Sequence, residues 1–146
     1  MNGNSLVVVG NLTRDPELKF VKGSGQAFAR FSVADNYSWP SKSGGDRESK
    51  VSYIDCIAWG AIAENIVETL TKGDRVIVYG RIDQQNWETE DGERRTKLEL
   101  DVDAIGPELR FATANVSKMS SGDSRPRNSG RSEPSRPKYS DDEEPF

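Results

Sequence analysis

The 146-residue chain contains no histidine and a single cysteine. Without histidine there is no Ser-His-Asp triad, no Cys-His thiolate pair, no HExxH helix and no His-containing zinc site, and one cysteine supplies neither a Cys₄ cluster nor a disulfide framework. Any chemistry would fall to carboxylates, Lys or Ser. Long apolar runs are also missing: none exceeds four residues, as in 6–9 and 76–79. A membrane helix needs ~20 and the core of an export signal ~7–15. The lone Cys56 fits a reducing compartment. Together these absences lead to the expectation of a soluble cytoplasmic protein with one core, no membrane partner, no metal and no cofactor.

What the chain does have divides near residue 111. Residues 1–111 carry 14 basic and 18 acidic side chains, a net −4, whereas residues 112–146 carry six of each. The second part is sorted rather than neutral, since 112–140 is net +4 and Asp141, Asp142, Glu143 and Glu144 supply −4. It holds 14 Ser, Gly or Pro in 35 residues and only six apolar ones, too few to offset the entropy of ordering it. Disorder is expected from about Ser117 onward.

The first part reads as strands. Residues 6–9 form a short apolar run before Gly10-Asn11, and in 28–34 Ala29, Phe31 and Val33 alternate with Phe28, Arg30 and Ser32. Over 51–59 the same period puts Tyr53, Asp55, Ile57 and Trp59 on one face, and Ile54, Cys56 and Ala58 make the better core set behind it. A fourth strand spans 76–82. A hairpin joins 85–89 to 95–102 around Asp91-Gly92, with Leu98, Leu100 and Val102 alternating with Lys97, Glu99 and Asp101. Helical period occurs once, in 61–70, with Ile62, Ile66 and Leu70 in a stripe and Lys72-Gly73 as its expected end. Three strands, one helix and two strands is the layout of the OB-fold, a five-stranded Greek-key barrel with an α-helix between its third and fourth strands. The class is mainly β.

Several aromatic residues fall where alternation leaves them uncovered. Trp39 lies in the aperiodic polar stretch 38–47, expected to be a loop, while Trp87 has Gln85 and Thr89 on its own face, and Tyr53 and Trp59 share theirs with Asp55. Any one of these rings is ordinarily packing; four together suit a surface that stacks unpaired bases, each worth ~1–3 kcal/mol and indifferent to sequence. Lys19, Arg30, Lys42, Lys50, Lys72, Arg81, Arg94, Arg95 and Lys97 are the cations available for phosphates. On a net-acidic domain such binding relies on local cation density.

These residues resemble the bacterial single-stranded DNA-binding proteins. The matching segments are Val8-Val9-Gly10-Asn11-Leu12 with Asp15-Pro16-Glu17-Leu18, the strand at 27–34, Ser38-Trp39, Ala58-Trp59-Gly60, Ala63-Glu64-Asn65, Leu70-Thr71-Lys72-Gly73, Val78-Tyr79-Gly80-Arg81 and Trp87. They cover 5–111 and then the last six residues. The stretch 105–114 is similar to the actinobacterial branch, in which it reaches toward a neighbouring subunit. The resemblance implies sequence-nonspecific single-stranded DNA binding by a non-enzymatic protein of the nucleoid. It implies base stacking by Trp39, Tyr53, Trp59 and Trp87, and phosphate contacts by Lys19, Lys42, Lys72 and Arg95, beside which Arg30 is retained. It implies a homotetramer as well. Asp55, Gln85 and Asn86 stand where members of the family often carry cations.

The chain closes on Asp141, Asp142, Glu143, Glu144, Pro145 and Phe146. A ring beside the terminal carboxylate makes a compact hook for an apolar pocket flanked by a cation, and the acids steer it there. It resembles the acidic tip by which the family recruits replication, recombination and repair proteins, with Glu144 in place of an apolar residue. The expected organisation is therefore a binding and oligomerisation domain at 1–111, a disordered basic linker at 112–140 and a docking tip at 141–146. Two alternatives use the same features. One is an OB-fold module for structured RNA or oligosaccharide. The other is a carboxylate-metal nuclease built on Asp83, Glu88, Glu90, Asp91 and Glu93.

Overall fold

The computed structural model describes residues 3–119, of which 3–114 belong to one compact unit. Its elements are β1 (Ser5–Leu12), β2 (Glu17–Phe20), β3 (Ala27–Trp39), β4 (Glu48–Trp59), α1 (Ala61–Thr69), β5 (Arg75–Glu88) and β6 (Arg94–Pro107). β1 pairs antiparallel with β5, β5 with β6, and β3 with β4, while β4 and β6 run parallel at Cys56↔Leu100. A second edge of β1 pairs with β3 at Asn11↔Ala34 and closes the ring. β1 and β2 share that one edge of β3, with Glu17 opposite Arg30 and Leu12 opposite Val33, so the barrel has five strand positions. This is the expected OB-fold, with the helix before the fourth position.

Closure needs close backbone approach at two glycines. A Cβ on Gly10 would fall on the Ala34 carbonyl where β1 turns from β5 to β3, and one on Gly80 would fall on the Asp101 carbonyl at the irregularity between Tyr79 and Gly80. Val8, Leu12, Phe31, Val33, Cys56, Val76, Val78, Leu100 and Val102 fill the interior. Ala63, Ile66 and Leu70 of the helical segment join them. Ile66 and Leu70 of the expected stripe are buried, while Ile62 packs only at the margin and Ala63 beside it takes the inner place.

Several expectations are corrected. β2 is a strand that the sequence reading does not contain, because pairing with β3 imposes extension on four residues too few to show a period. Trp39 is not in a loop: β3 runs out to it, paired with Glu48, and only the turn beyond is irregular. The segments 76–82 and 85–89 are one strand. The helix ends at Thr69 with Leu70 extended, so Lys72 is outside its last turn and Gly73, at φ 91°, instead turns the chain into β5. The Gly73 N–H donates to the Leu12 carbonyl, 2.8 Å away. The expected disorder from residue 120 and the tip at 141–146 lie outside the described residues. Residues 117–119, which are described, have no regular structure. No described helix is long and apolar enough to cross a membrane.

Candidate nucleic-acid interface

Residues paired directly across strands point to the same side of a sheet. On the outer side of β3 and β4 this places Phe28 beside Trp59, Arg30 beside Ile57, Ser32 beside Asp55 and Ala34 beside Tyr53. Through the parallel contact Ile57↔Asp101 the same side continues onto Lys97 and Glu99 of β6, and from there to Gln85 and Trp87 of β5, Trp87 being opposite Arg95. Tyr53, Trp59 and Trp87 therefore share one continuous face. They are 69%, 38% and 46% exposed.

Trp39 is on the other side. Its parity is that of the core residues Phe31 and Val33, but past Ala34 the β3–β4 ribbon leaves the barrel and this side becomes open to water. There the Trp39 Nε1–H donates to Glu48 Oε2 at 2.9 Å, and the Tyr37 ring stacks on Trp39 with centroids 5.6 Å apart. Trp39 thus belongs to a second aromatic pair, on a different side of the ribbon from the other three rings. Tyr37 is the residue the sequence reading missed; its signal is the two-residue spacing to Trp39 on one strand.

Trp59 is anchored at the other end of the face. Its ring lies 5.3 Å from that of Phe28, and the Arg30 guanidinium carbon is 5.5 Å from the Phe28 centroid. Arg30 is thereby placed over the ring of Phe28, which in turn touches Trp59. β2 adds Lys19 opposite Phe28, with Glu17 3.9 Å from it in an exposed pair. Arg95 lies 3.5 Å from Glu93, also exposed. Such pairs are worth little and exchange readily for another anion. Lys42 is in the turn beyond Trp39. Lys72 is at the helix end of the barrel, its backbone N–H donating to Asp15 at 2.8 Å, away from the ribbon ends that carry Trp39 and Trp87.

The cation missing at Asp55 comes from the next strand: Lys97 Nζ is 3.5 Å from Asp55 and 3.7 Å from Glu99, and Arg30 Nε is 3.2 Å from the same Glu99 oxygen. Burial raises the Asp101 carboxyl from its ordinary value, against the pull of Arg81. Burial likewise pushes the Cys56 thiol up to about 12, with the charges of Asp55 and Glu99 adding to the effect. A protonated, covered thiol is no nucleophile. Among the described residues no three His, Cys, Asp or Glu side chains gather as a metal site would require, and Asp83, Glu88, Glu90, Asp91 and Glu93 are strung along an exposed hairpin.

Residues 3–108 match the family model described as the single-strand binding protein family. The chain is 47% identical over 117 residues to a single-stranded DNA-binding protein of Mycolicibacterium smegmatis, covering 80% of this chain and 70% of that one. It is 46% identical over 117 residues to one from Mycobacterium tuberculosis, with 80% and 71% covered. Both relatives are actinobacterial, in line with the branch suggested by residues 105–114. The fold is similar to that of a Plasmodium falciparum SSB solved in complex with ssDNA, at a TM-score of 0.65 and 23% identity over 74% of this chain and 97% of that one.

Proposed function

The chain belongs to the single-strand binding protein family, and from that premise we propose that it binds single-stranded DNA without reading sequence, by stacking bases on Trp39, Tyr53, Trp59 and Trp87. The observation that carries this reading is the continuous outer face on which Tyr53, Trp59 and Trp87 stand exposed with Arg30, Lys97 and Arg95 between them. Rings supply affinity at any base, and cations beside them take the backbone. Lys19, Arg30, Lys42, Lys72 and Arg95 are the phosphate contacts of this reading; the position of Lys72 at the helix end requires the strand to travel the length of the barrel to reach it. The family is one of DNA-binding proteins that are not enzymes.

Residues 1–111 are the binding and assembly domain. Self-association, as a homotetramer, is supported by an uncovered apolar strip where Val7 faces Tyr79 and Val9 faces Ile77 on β1 and β5. It is supported too by the end of the unit, where Glu108 is tied to Arg75 at 2.9 Å but Leu109 and Phe111 project into solvent, the latter 78% exposed. Exposed apolar area of this kind ordinarily marks a protein contact. Residues 112–140 are the linker, and Asp141, Asp142, Glu143, Glu144, Pro145 and Phe146 dock replication, recombination and repair proteins. The protein acts in the cytoplasm, on the nucleoid.

Tryptophan fluorescence during titration with poly-dT tests the reading. Strong quenching that saturates, is insensitive to base sequence and is absent with duplex DNA is expected. A titration without quenching would overturn it.

A further inference from the structure

Between the rings of the outer face lies a carboxylate that water does not reach. The Glu99 side chain is 1% exposed, although the adjacent Leu98 is 61% exposed. A buried carboxylate needs partners, because its charge loses hydration that only opposite charge or donors replace. Glu99 has two: Arg30 Nε at 3.2 Å and Lys97 Nζ at 3.7 Å. Lys97 also reaches Asp55, 3.5 Å away. Asp83 stands opposite Glu99 on β5 and accepts a hydrogen bond from Gln85 at 2.6 Å, while Arg81, two pairs further along, is held by Asp101 and Asp103 at 3.6 and 3.4 Å. Two cations, Arg30 and Lys97, are thus fixed between Tyr53 and Trp59 and cancelled by the carboxylates that fix them.

We propose that Glu99 is a positioning residue for single-stranded DNA, the built-in counterion of the stacking face: it holds Arg30 and Lys97 among the rings and keeps the middle of the face without excess positive charge. The inference rests on the single-strand reading above. Both cations have exposed portions, 52% of the Arg30 side chain and 40% of that of Lys97. Glu99 engages Arg30 through Nε and leaves the terminal nitrogens of the guanidinium for a phosphate. The two cations cannot both abandon Glu99 to phosphates without leaving its buried side chain unpaired. DNA is therefore met by cations that already have a counterion, and few salt ions are released on binding.

The slope of log affinity against log salt measures that release, at about 0.7 per phosphate neutralised on a single strand. Poly-dT titrations of the full chain, followed by tryptophan quenching from ~50 to ~400 mM NaCl, compare the wild type with Glu99→Gln, Asp55→Asn and the double variant Glu99→Gln/Lys97→Met. Glu99→Gln is expected to steepen the slope by about 0.7 to 1.4, so that the affinity lost between 50 and 200 mM salt grows by about three- to sevenfold, with binding tighter at the lowest salt. Asp55→Asn, at a half-exposed carboxylate, steepens it measurably and by no more than about 0.7, and Lys97→Met in the Glu99→Gln background takes one such step back. A Glu99→Gln variant that binds less well by the same factor at every salt, with an unaltered slope, shows a merely structural residue and overturns the proposal. Should Glu99→Gln not fold, Asp55→Asn decides alone, and an unchanged slope overturns it. If the wild type itself fails to quench, the single-strand reading falls and the proposal with it; a wild type that binds alongside variants of unchanged slope overturns the proposal alone.

Discussion

Replacing Trp87 with alanine removes a ring without touching a charge, which separates stacking from electrostatics. Trp87 is 46% exposed and sits on the β5–β6 ribbon beyond Gly80, where the barrel interior ends. A fully covered tryptophan buries ~150–250 Å², so the covered half here amounts to ~100 Å², or at most ~2.5 kcal/mol at ~25 cal/mol per Å². That loss is an upper bound on the destabilisation, and at about 4 °C per kcal/mol for a domain of this size it lowers the midpoint of unfolding by no more than about 10 °C. Binding changes more visibly. A lost base stack costs ~1–3 kcal/mol, a weakening of Kd by about five- to about 150-fold at ~1.4 kcal/mol per tenfold. Because the ring is uncharged, the factor is the same at every salt concentration, and curves of log affinity against log salt shift in parallel. Fluorescence titration with poly-dT, using the other tryptophans as reporters, gives both quantities. An unchanged Kd would refute the stacking role. A slope flattened by about 0.7 would show instead that Trp87 acts by placing Arg95, the cation opposite it.

Other consequences are as direct. The Cys56 thiol, pushed up to about 12 by burial, stays protonated in the folded protein while the unfolded thiol ionises near 9; folding stability is intact below pH 9 and falls as pH rises from about 9 toward 12. Thiol-reactive reagents at pH 8 should accordingly leave the native protein unlabelled, and rapid labelling would show the site to be open. Gly80→Ala puts a methyl on the Asp101 carbonyl and should lower stability by ~1–3 kcal/mol, read as a lower urea midpoint; a wild-type midpoint would mean that the strands separate there at little cost. Deleting residues 141–146 should raise single-stranded DNA affinity at low salt if the acids compete with DNA for the cations of the face, and an unaltered titration removes that competition.

The barrel was legible because its strands alternate. Val33, Ile54, Cys56 and Ala58 announced an inner side by period alone, and the apolar stripe in 61–70 announced the one helix. Ring identity was legible as well: Trp39, Tyr53, Trp59 and Trp87 stand out against polar neighbours in the sequence. Short or composite segments were not legible, as with β2, whose four residues become a strand only because β3 offers them an edge. Nor was the end of the helix, where Gly73 looked like a cap but serves the turn into β5.

The sequence by itself determined the class of the protein, since histidine-based catalysis, a disulfide framework and a spanning helix are settled by counting. It determined which rings and cations were available and, for Tyr53, Trp59 and Trp87, which neighbours shared their face of the strand. Tertiary structure alone decided how the faces join. Period two says that Tyr53 and Trp59 share a side of β4 but cannot relate them to Trp87 or Trp39 on other strands; cross-strand register does, grouping three rings and setting Trp39 on the opposite side of the β3–β4 ribbon. The net charge is a sum that the sequence supplies. That Glu99, Asp55, Arg30 and Lys97 pair with one another in the middle of the outer face depends on distances of 3.2 to 3.7 Å between three strands. Such contacts arise from barrel closure, because residues far apart in the chain become neighbours only when β3, β4 and β6 are brought side by side.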